Sequence, residues 1–174
     1  KDVVILSIGG LMAQPSLIGL AEKAGISLYL PSGAIAGVDG IMAAATGKIG
    51  SLTLTTSKPP AGLQGAPATR KMTSRRKVLF KGTPREAYKL FPRNINVAAT
   101  LLMASRYRYV LVTVIVDPSI KRNVHRVELE SDICRMTIEV ENVPSKTNPR
   151  TSAMAIASTK ALFMKMFSTL RPGV

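Results

Sequence analysis

One cysteine, one histidine and ten acidic residues among 174 narrow the chemistry before any fold is considered. A single thiol, Cys134, cannot build a disulfide framework or a cysteine-rich zinc site. It reads as a buried structural thiol where a strand begins, and it suits a reducing compartment. No apolar run approaches the roughly 18 to 20 residues needed to cross a bilayer; the longest, Val110 to Val116, is strand-sized. The opening KDVVILSIGG has no small-residue cleavage site after it and does not read as a signal peptide. A cytoplasmic protein with no membrane partner is the expectation. Aromatic residues make up only 5% of the chain, which weakens a reading based on stacking with RNA or single strands. No G-x-G-x-x-G, Walker-type loop, metal-ligand cluster or nucleophile elbow is present, so no metal site is expected.

What is abundant is apolar and basic. Hydrophobic residues reach 46%, enough for a sizeable core. Lys and Arg total 24, for a net charge of +14. Such a balance favours polyanions, phosphate-bearing cofactors or dicarboxylates without choosing among them. Between Asp39 and Glu86 there is no acid, while Lys58, Arg70, Lys71, Arg75, Arg76, Lys77 and Lys81 concentrate positive charge. Ser57 to Arg76, rich in proline, glycine and bases, reads as a mobile, solvated basic loop.

The hydrophobic pattern predicts a strand at Val3 to Ser7, a helix from Ser16 to Ala24 and a strand from Ser27 to Leu30, one parallel crossover unit. A small-residue loop, Ser32 to Gly37, leads to a helix over Val38 to Ala45 and a strand over Ser51 to Thr56. Val78 to Phe80 is a short strand. Thr83-Pro84-Arg85-Glu86 is a capping box with proline at the first helical position, opening a helix that ends at Phe91-Pro92. Asn94 or Asn96 caps a further helix running to Ser105. Tyr109 to Val116, Val124 to Ser131 and Cys134 to Val143 read as strands paired antiparallel, because their loops are too short for crossover helices. Pro144 to Pro149 is a linker, and a helix over Thr151 to Leu170 closes the chain, its methionines read as packing residues.

His125, the lone histidine, shares its parity with Val127 and Leu129, opposite Arg126, Glu128 and Glu130. It reads either as a packed core residue or as an acid–base group at a cleft active near neutral pH, with Asp117 and Asn123 gathering polar groups at the sheet rim. Asn94 and Asn96 either cap a helix or present an amide to a ligand. Ser32 to Gly37 lies at a carboxyl edge where open α/β sheets place ligands, although a tight turn would explain it equally.

Five collinear segments together resemble the L-aspartate dehydrogenase family: SGAIAGVDGI (Ser32 to Ile41), LTLTTSKPP (Leu52 to Pro60), FPRNINVAATL (Phe91 to Leu101), VDPSIKRNVH (Val116 to His125) and ENVPSKTNPRTSAMA (Glu141 to Ala155). The resemblance implies oxidation of L-aspartate to iminoaspartate, leading to oxaloacetate or into NAD biosynthesis, with NAD or NADP as cofactor, in a homodimer. It implies an α/β fold: part of a Rossmann domain over residues 1–36, a mixed or antiparallel α+β substrate and dimerisation domain over 37–150, and a closing helix over 151–174 that packs back on the Rossmann part. On that pattern His125 matches the catalytic histidine, while Ala34 and Asn96 match cofactor contacts. Asn94, Asn123, Arg150 and Thr151 fall in the substrate's vicinity.

Two departures from the pattern carry expectations of their own. His125-Arg126 stands where the family usually has His-Glu, altering the charge beside the histidine. The strand, glycine loop and helix that open family members do not precede Lys1, so an N-terminally incomplete member that binds NAD poorly and is inactive alone is expected. A non-catalytic dimerisation scaffold is the alternative, and a basic nucleic-acid-binding protein a further one, although nucleic acid is not the expected partner.

Overall fold

The computed structural model describes residues 1–63, 75–92, 95–148 and 151–173. Its smaller sheet pairs β1 (Val3–Val4) with β2 (Leu28–Tyr29) in parallel. The crossover carries α2 (Ser16–Lys23), as expected, and before it a short helix, α1 (Ile8–Ala13), that the sequence pattern does not announce. The predicted strand from Val3 is cut at Val4 because Ile8 to Met12 turn helical to bury their apolar side chains. Gly9 makes this possible. A Cβ there would come within 2.5 Å of Ile95 Cγ2 and 3.3 Å of Asn96 Oδ1, so only glycine lets α1 lie this close to Ile95 and Asn96.

The main sheet has five strands in the order β4-β5-β3-β6-β7: β3 (Ile49–Lys58), β4 (Lys77–Gly82), β5 (Leu111–Val116), β6 (Asn123–Ser131) and β7 (Arg135–Asn142). β3 pairs parallel with β5 and antiparallel with β6. The expected direct pairing of β5 with β6 is therefore corrected. The two do run in opposite directions, but β3 lies between them, and 117–122 crosses its width. β5 is an inner strand, paired with β3 on one edge and β4 on the other, and Val112, Val114, Ile115 and Val116 are buried. A short loop excludes a crossover helix but not a step over one strand. β6 and β7 form the expected hairpin.

The helices cover one face of this sheet. α3 (Val38–Ala44) follows Gly37, whose φ of 67° places it in the left-handed region and whose missing Cβ leaves room for Ile138 of β7. α4 (Pro84–Leu90) begins with the predicted capping box: Thr83 Oγ1 accepts from Glu86 N, and Glu86 Oε2 accepts from Thr83 N at 2.8 Å. α5 (Asn96–Ser105) buries Val97, Ala98, Ala99 and Leu101 against the sheet. Asn96 does not cap it, since Ile95 is the N-cap and has no side-chain bond, and Asn94 lies outside the described residues. The opposite face of β6 and β7 is a wet ladder in which Arg126 pairs with Glu128 and Glu139, and Arg135 with Glu130.

α6 (Ala153–Phe167) starts at Ser152, whose Oγ accepts from Ala155 N at 3.0 Å. None of its residues is fully buried; Met154 and Met166 are half-buried, while Met164 is 64% exposed and does not pack as expected. Cys134 is half-buried rather than buried. Among the described residues no helix is long and apolar enough to cross a membrane. Of the Ser57 to Arg76 loop, residues 57–58 complete β3 and Pro60–Leu63 form a 3-10 turn; residues 64–74 lie outside the described residues.

Candidate active site

β3 and β6 run antiparallel, so the carboxyl end of one meets the amino end of the other, with Thr56 opposite His125. The two-residue period of a strand then puts Lys58 and Asn123 on the same face, one step further toward the rim. Four polar side chains thus converge at one end of the sheet. Lys58, Asn123 and His125 form the floor of a cleft of about 720 Å³, with Thr56 held against His125 Nδ1.

The walls come from four other places in the chain, the first of them Leu6 to Ile8. Pro31 to Ala34, the loop after β2, gives a side of small residues. Asn96, Val97 and Thr100 project from the first turns of α5. α6 and its cap supply Thr151, Ser152, Ala155, Ile156, Thr159, Lys160 and Phe163. Gly33 N donates to Ser158 Oγ at 3.0 Å, tying loop to helix, and Asn142 Nδ2 donates to Ala34 O at 3.1 Å, tying loop to β7. The loop is therefore fixed at both sides before any ligand arrives.

His125 is 5% exposed, and its Nδ1 lies 3.0 Å from Thr56 Oγ1. Burial, reinforced by the charge of Lys58, pushes its pKa from 6.5 down to about 3. In the open cleft the imidazole is neutral at any ordinary pH. Lys58 is 6% exposed, and burial lowers its pKa from 10.5 to about 8. The described lining contains these groups and Lys160, but no aspartate or glutamate. Among the described residues no cluster of His, Cys, Asp and Glu could hold a metal.

The residues expected from the sequence largely meet here: Ala34, Asn96, Asn123, His125 and Thr151 all line the cleft. Asn94 and Arg150 lie outside the described residues. The amide of Asn96 is engaged at both ends, its Oδ1 accepting from Gly9 N at 3.1 Å and its Nδ2 donating to Leu6 O at 3.4 Å, so it also locks α1 to α5. Asp117 turns away from the group it was expected to join, accepting from Ser119 N and Oγ and pairing with Arg76 at 3.3 Å. Arg126 is on the far face of β6, paired with Glu128 and Glu139, so it does not alter the charge beside His125.

The match to known proteins follows this geometry. A model of the family described as "Aspartate dehydrogenase, C-terminal" matches residues 39–166. An L-aspartate dehydrogenase of Methanosarcina mazei is 41% identical over 182 residues, covering 99% of this chain and 67% of the relative. The chain belongs to the aspartate dehydrogenase family. L-Aspartate dehydrogenases of Methanococcus maripaludis (strain C6) and Bradyrhizobium diazoefficiens are 41% and 40% identical, each over 99% of the chain and over 67% and 64% of their own lengths. The crystal structure of aspartate dehydrogenase from Thermotoga maritima superposes with a TM-score of 0.81 at 26% identity, over 97% of this chain and 67% of that one. The mixed α/β architecture expected from the sequence is thus that of an aspartate dehydrogenase, in a family whose named members are oxidoreductases.

In this family member, Thr56, Lys58 and Asn142 were not singled out by sequence reading. Thr56 and Lys58 had a usable signal, since they continue the buried parity of Leu52 and Leu54 with polar residues. Asn142 had none, because its partner Ala34 is 108 residues away.

Proposed function

We propose that this chain carries the substrate-handling part of an NAD(P)-dependent L-aspartate dehydrogenase. L-Aspartate loses a hydride from its α-carbon and a proton from its amine to give iminoaspartate; water then adds to the C=N bond and ammonia leaves, giving oxaloacetate. Residues 1–36 are read as part of the cofactor-binding unit, 37–150 as the substrate domain and 151–174 as the helix closing onto the first. A homodimer in the cytoplasm serving NAD biosynthesis belongs to the same reading.

The observation that carries the proposal is the union, in one cleft whose described lining has no carboxylate, of a buried histidine held by Thr56, a buried lysine and a wall of small residues. The small wall fits a nicotinamide ring. Gly33 has φ +70°, and a Cβ built there meets nothing within 4 Å, so the loop borders open space. Pro31 to Ala34 and Asn96 would hold such a group. When bound it supplies the hydride acceptor.

The chain's own residues do the rest. Thr56 engages His125 Nδ1, which orients the ring and leaves Nε2 for the substrate. Nε2 of the neutral imidazole accepts a proton at the substrate's nitrogen, and later assists the water that attacks the imine. With a pKa of about 3 in the open cleft, that step is costly until the negative charge of a dicarboxylate stabilises the imidazolium. Proton transfer is thereby coupled to having the right substrate bound.

The test is reduction of NAD⁺ or NADP⁺ by L-aspartate, followed by absorbance, for the wild type and H125A. Turnover with L-aspartate, reduced at least a hundredfold in H125A while cofactor binding persists, is the supporting result. Unchanged turnover in H125A overturns the role of His125, and a chain that neither turns over nor binds L-aspartate overturns the reading.

A further inference from the structure

We infer that Ser158 is a positioning residue for the small-residue wall, holding Gly33 and Ala34 against α6 on the side of the cleft read as the cofactor's. This deepens the dehydrogenase reading and rests on it. Ser158 lies on α6 and is not among the residues that line the cleft. What it touches is the wall. Its Oγ accepts from Gly33 N at 3.0 Å, across 125 residues of sequence.

The hydroxyl has one hydrogen, and that hydrogen is committed: Ser158 Oγ donates to Ala155 O at 2.9 Å, one turn back in its own helix. Only lone pairs are left to face the loop, so the contact is made with the Gly33 N–H and not with a carbonyl. Thr159 Oγ1 also donates to Ala155 O, at 3.2 Å, so that carbonyl keeps a side-chain partner without Ser158. Serine is also a poorer helix former than alanine. Helix stability therefore gives no reason for a serine at 158, and the loop gives one.

The place of the bond in the loop gives it a use. Gly33 and Ala34 turn the chain, and both line the cleft. The two held groups, Gly33 N–H on Ser158 and Ala34 O on Asn142, flank the peptide unit that joins these residues. That unit's own C=O and N–H have no hydrogen-bond partner among the described residues. Holding the groups on either side orients it before a ligand arrives, which lowers the entropic cost of binding. Asn142, buried in β7, sets the loop's place against the sheet. Ser158 sets it against Ile156, Thr159, Lys160 and Phe163, the part of the wall that α6 supplies.

The test compares S158A, S158T and S168A with wild type. Threonine keeps the hydroxyl and in a helix also reaches a carbonyl one turn back. Ser168, the C-cap of α6, accepts from Leu170 N at 3.2 Å and lines no part of the cleft, so S168A controls for loosening of the helix. In ligand-free protein, the Gly33 amide of S158A should exchange hydrogen at least tenfold faster, with amides of β3 and β6 changed less than twofold. NADH or NADPH, followed by fluorescence, should bind S158A at least fivefold more weakly. In turnover the effect belongs in the KM for the dinucleotide, with the KM for L-aspartate within twofold. S158T and S168A should stay within twofold of wild type throughout. Unchanged Gly33 exchange in S158A overturns the inference, and so does faster exchange with wild-type dinucleotide affinity. An equal loss in S168A, or no rescue in S158T, overturns it as well. A wild type that binds L-aspartate but neither dinucleotide overturns the inference and leaves the substrate reading standing; one that binds none of the three overturns both.

Discussion

Thr56 Oγ1 and His125 Nδ1 lie 3.0 Å apart across the antiparallel pair of β3 and β6, both side chains buried. The bond joins residues 69 apart in sequence and decides which imidazole nitrogen remains for the cleft. Removing the hydroxyl leaves a buried Nδ1 without this partner, at a cost of about 1–3 kcal/mol. T56V should therefore lose stability of that order in urea titration. Its turnover should fall roughly ten- to hundredfold, as expected for a misoriented acid–base group. Histidine nitrogen NMR should show a mixed tautomer population; a single unchanged tautomer with full turnover would refute the orienting role.

The pH dependence of stability has a defined sign at His125. Its pKa is about 3 in the folded chain against 6.5 in the unfolded one, so between these values the unfolded state binds the extra proton. Stability from this group is fully present above pH 6.5 and is lost as pH falls toward 3. Between pH 6 and pH 4.5 the loss should be about 2 kcal/mol. H125N lacks this component, so the difference between wild-type and H125N unfolding curves isolates it. Parallel curves across that range would contradict the burial of a neutral imidazole.

Lys58 titrates in the opposite pH region, with the same direction of change. The unfolded chain holds its proton up to about 10.5 and the folded chain only to about 8, so burial of the charge lowers stability below pH 8 and the penalty is relieved as pH rises through 10.5. K58M removes the penalty. It should be more stable than wild type at pH 7 by about 1–3 kcal/mol in chemical denaturation, with the gain vanishing at high pH. A destabilised K58M would show that the ammonium is well compensated in the fold.

Two adjacent glycines of α1 separate close packing from backbone entropy. G9A forces a Cβ against Ile95 and Asn96 and should cost about 1–3 kcal/mol. G10A meets nothing within 4 Å and should stabilise the short helix by about 0.5–1 kcal/mol. Because Asn96 lines the cleft, G9A should also raise KM. Equal effects from the two substitutions, read from thermal unfolding, would rule out the close-approach role of Gly9.

Local rules located most elements, because local physics makes them. The capping box at Thr83 and Glu86 is written in four consecutive residues, and it formed as expected. The alternation of β6 put His125, Val127 and Leu129 on the buried side, again as its period requires. α1 was missed since six residues with two glycines carry no helical period of use, and α1 gains its stability from packing on α5. The order of the sheet was missed for a related reason: loop length constrains the direction of a strand more than its neighbour. Lys58 was read with a basic loop because the extent of β3 past Thr56 is decided by pairing with β5 and β6, up to Val116.

The sequence by itself determined the helices with strong caps, the parity of His125, the collinear segments that resemble a dehydrogenase, and a charge that favours anions. These depend on near neighbours or on residue identity. Only the tertiary structure decided that β3 inserts between β5 and β6, and with it that Thr56 and Lys58 meet His125. Burial then set the ionisation of both floor groups, which depends on how much water the packed chain excludes.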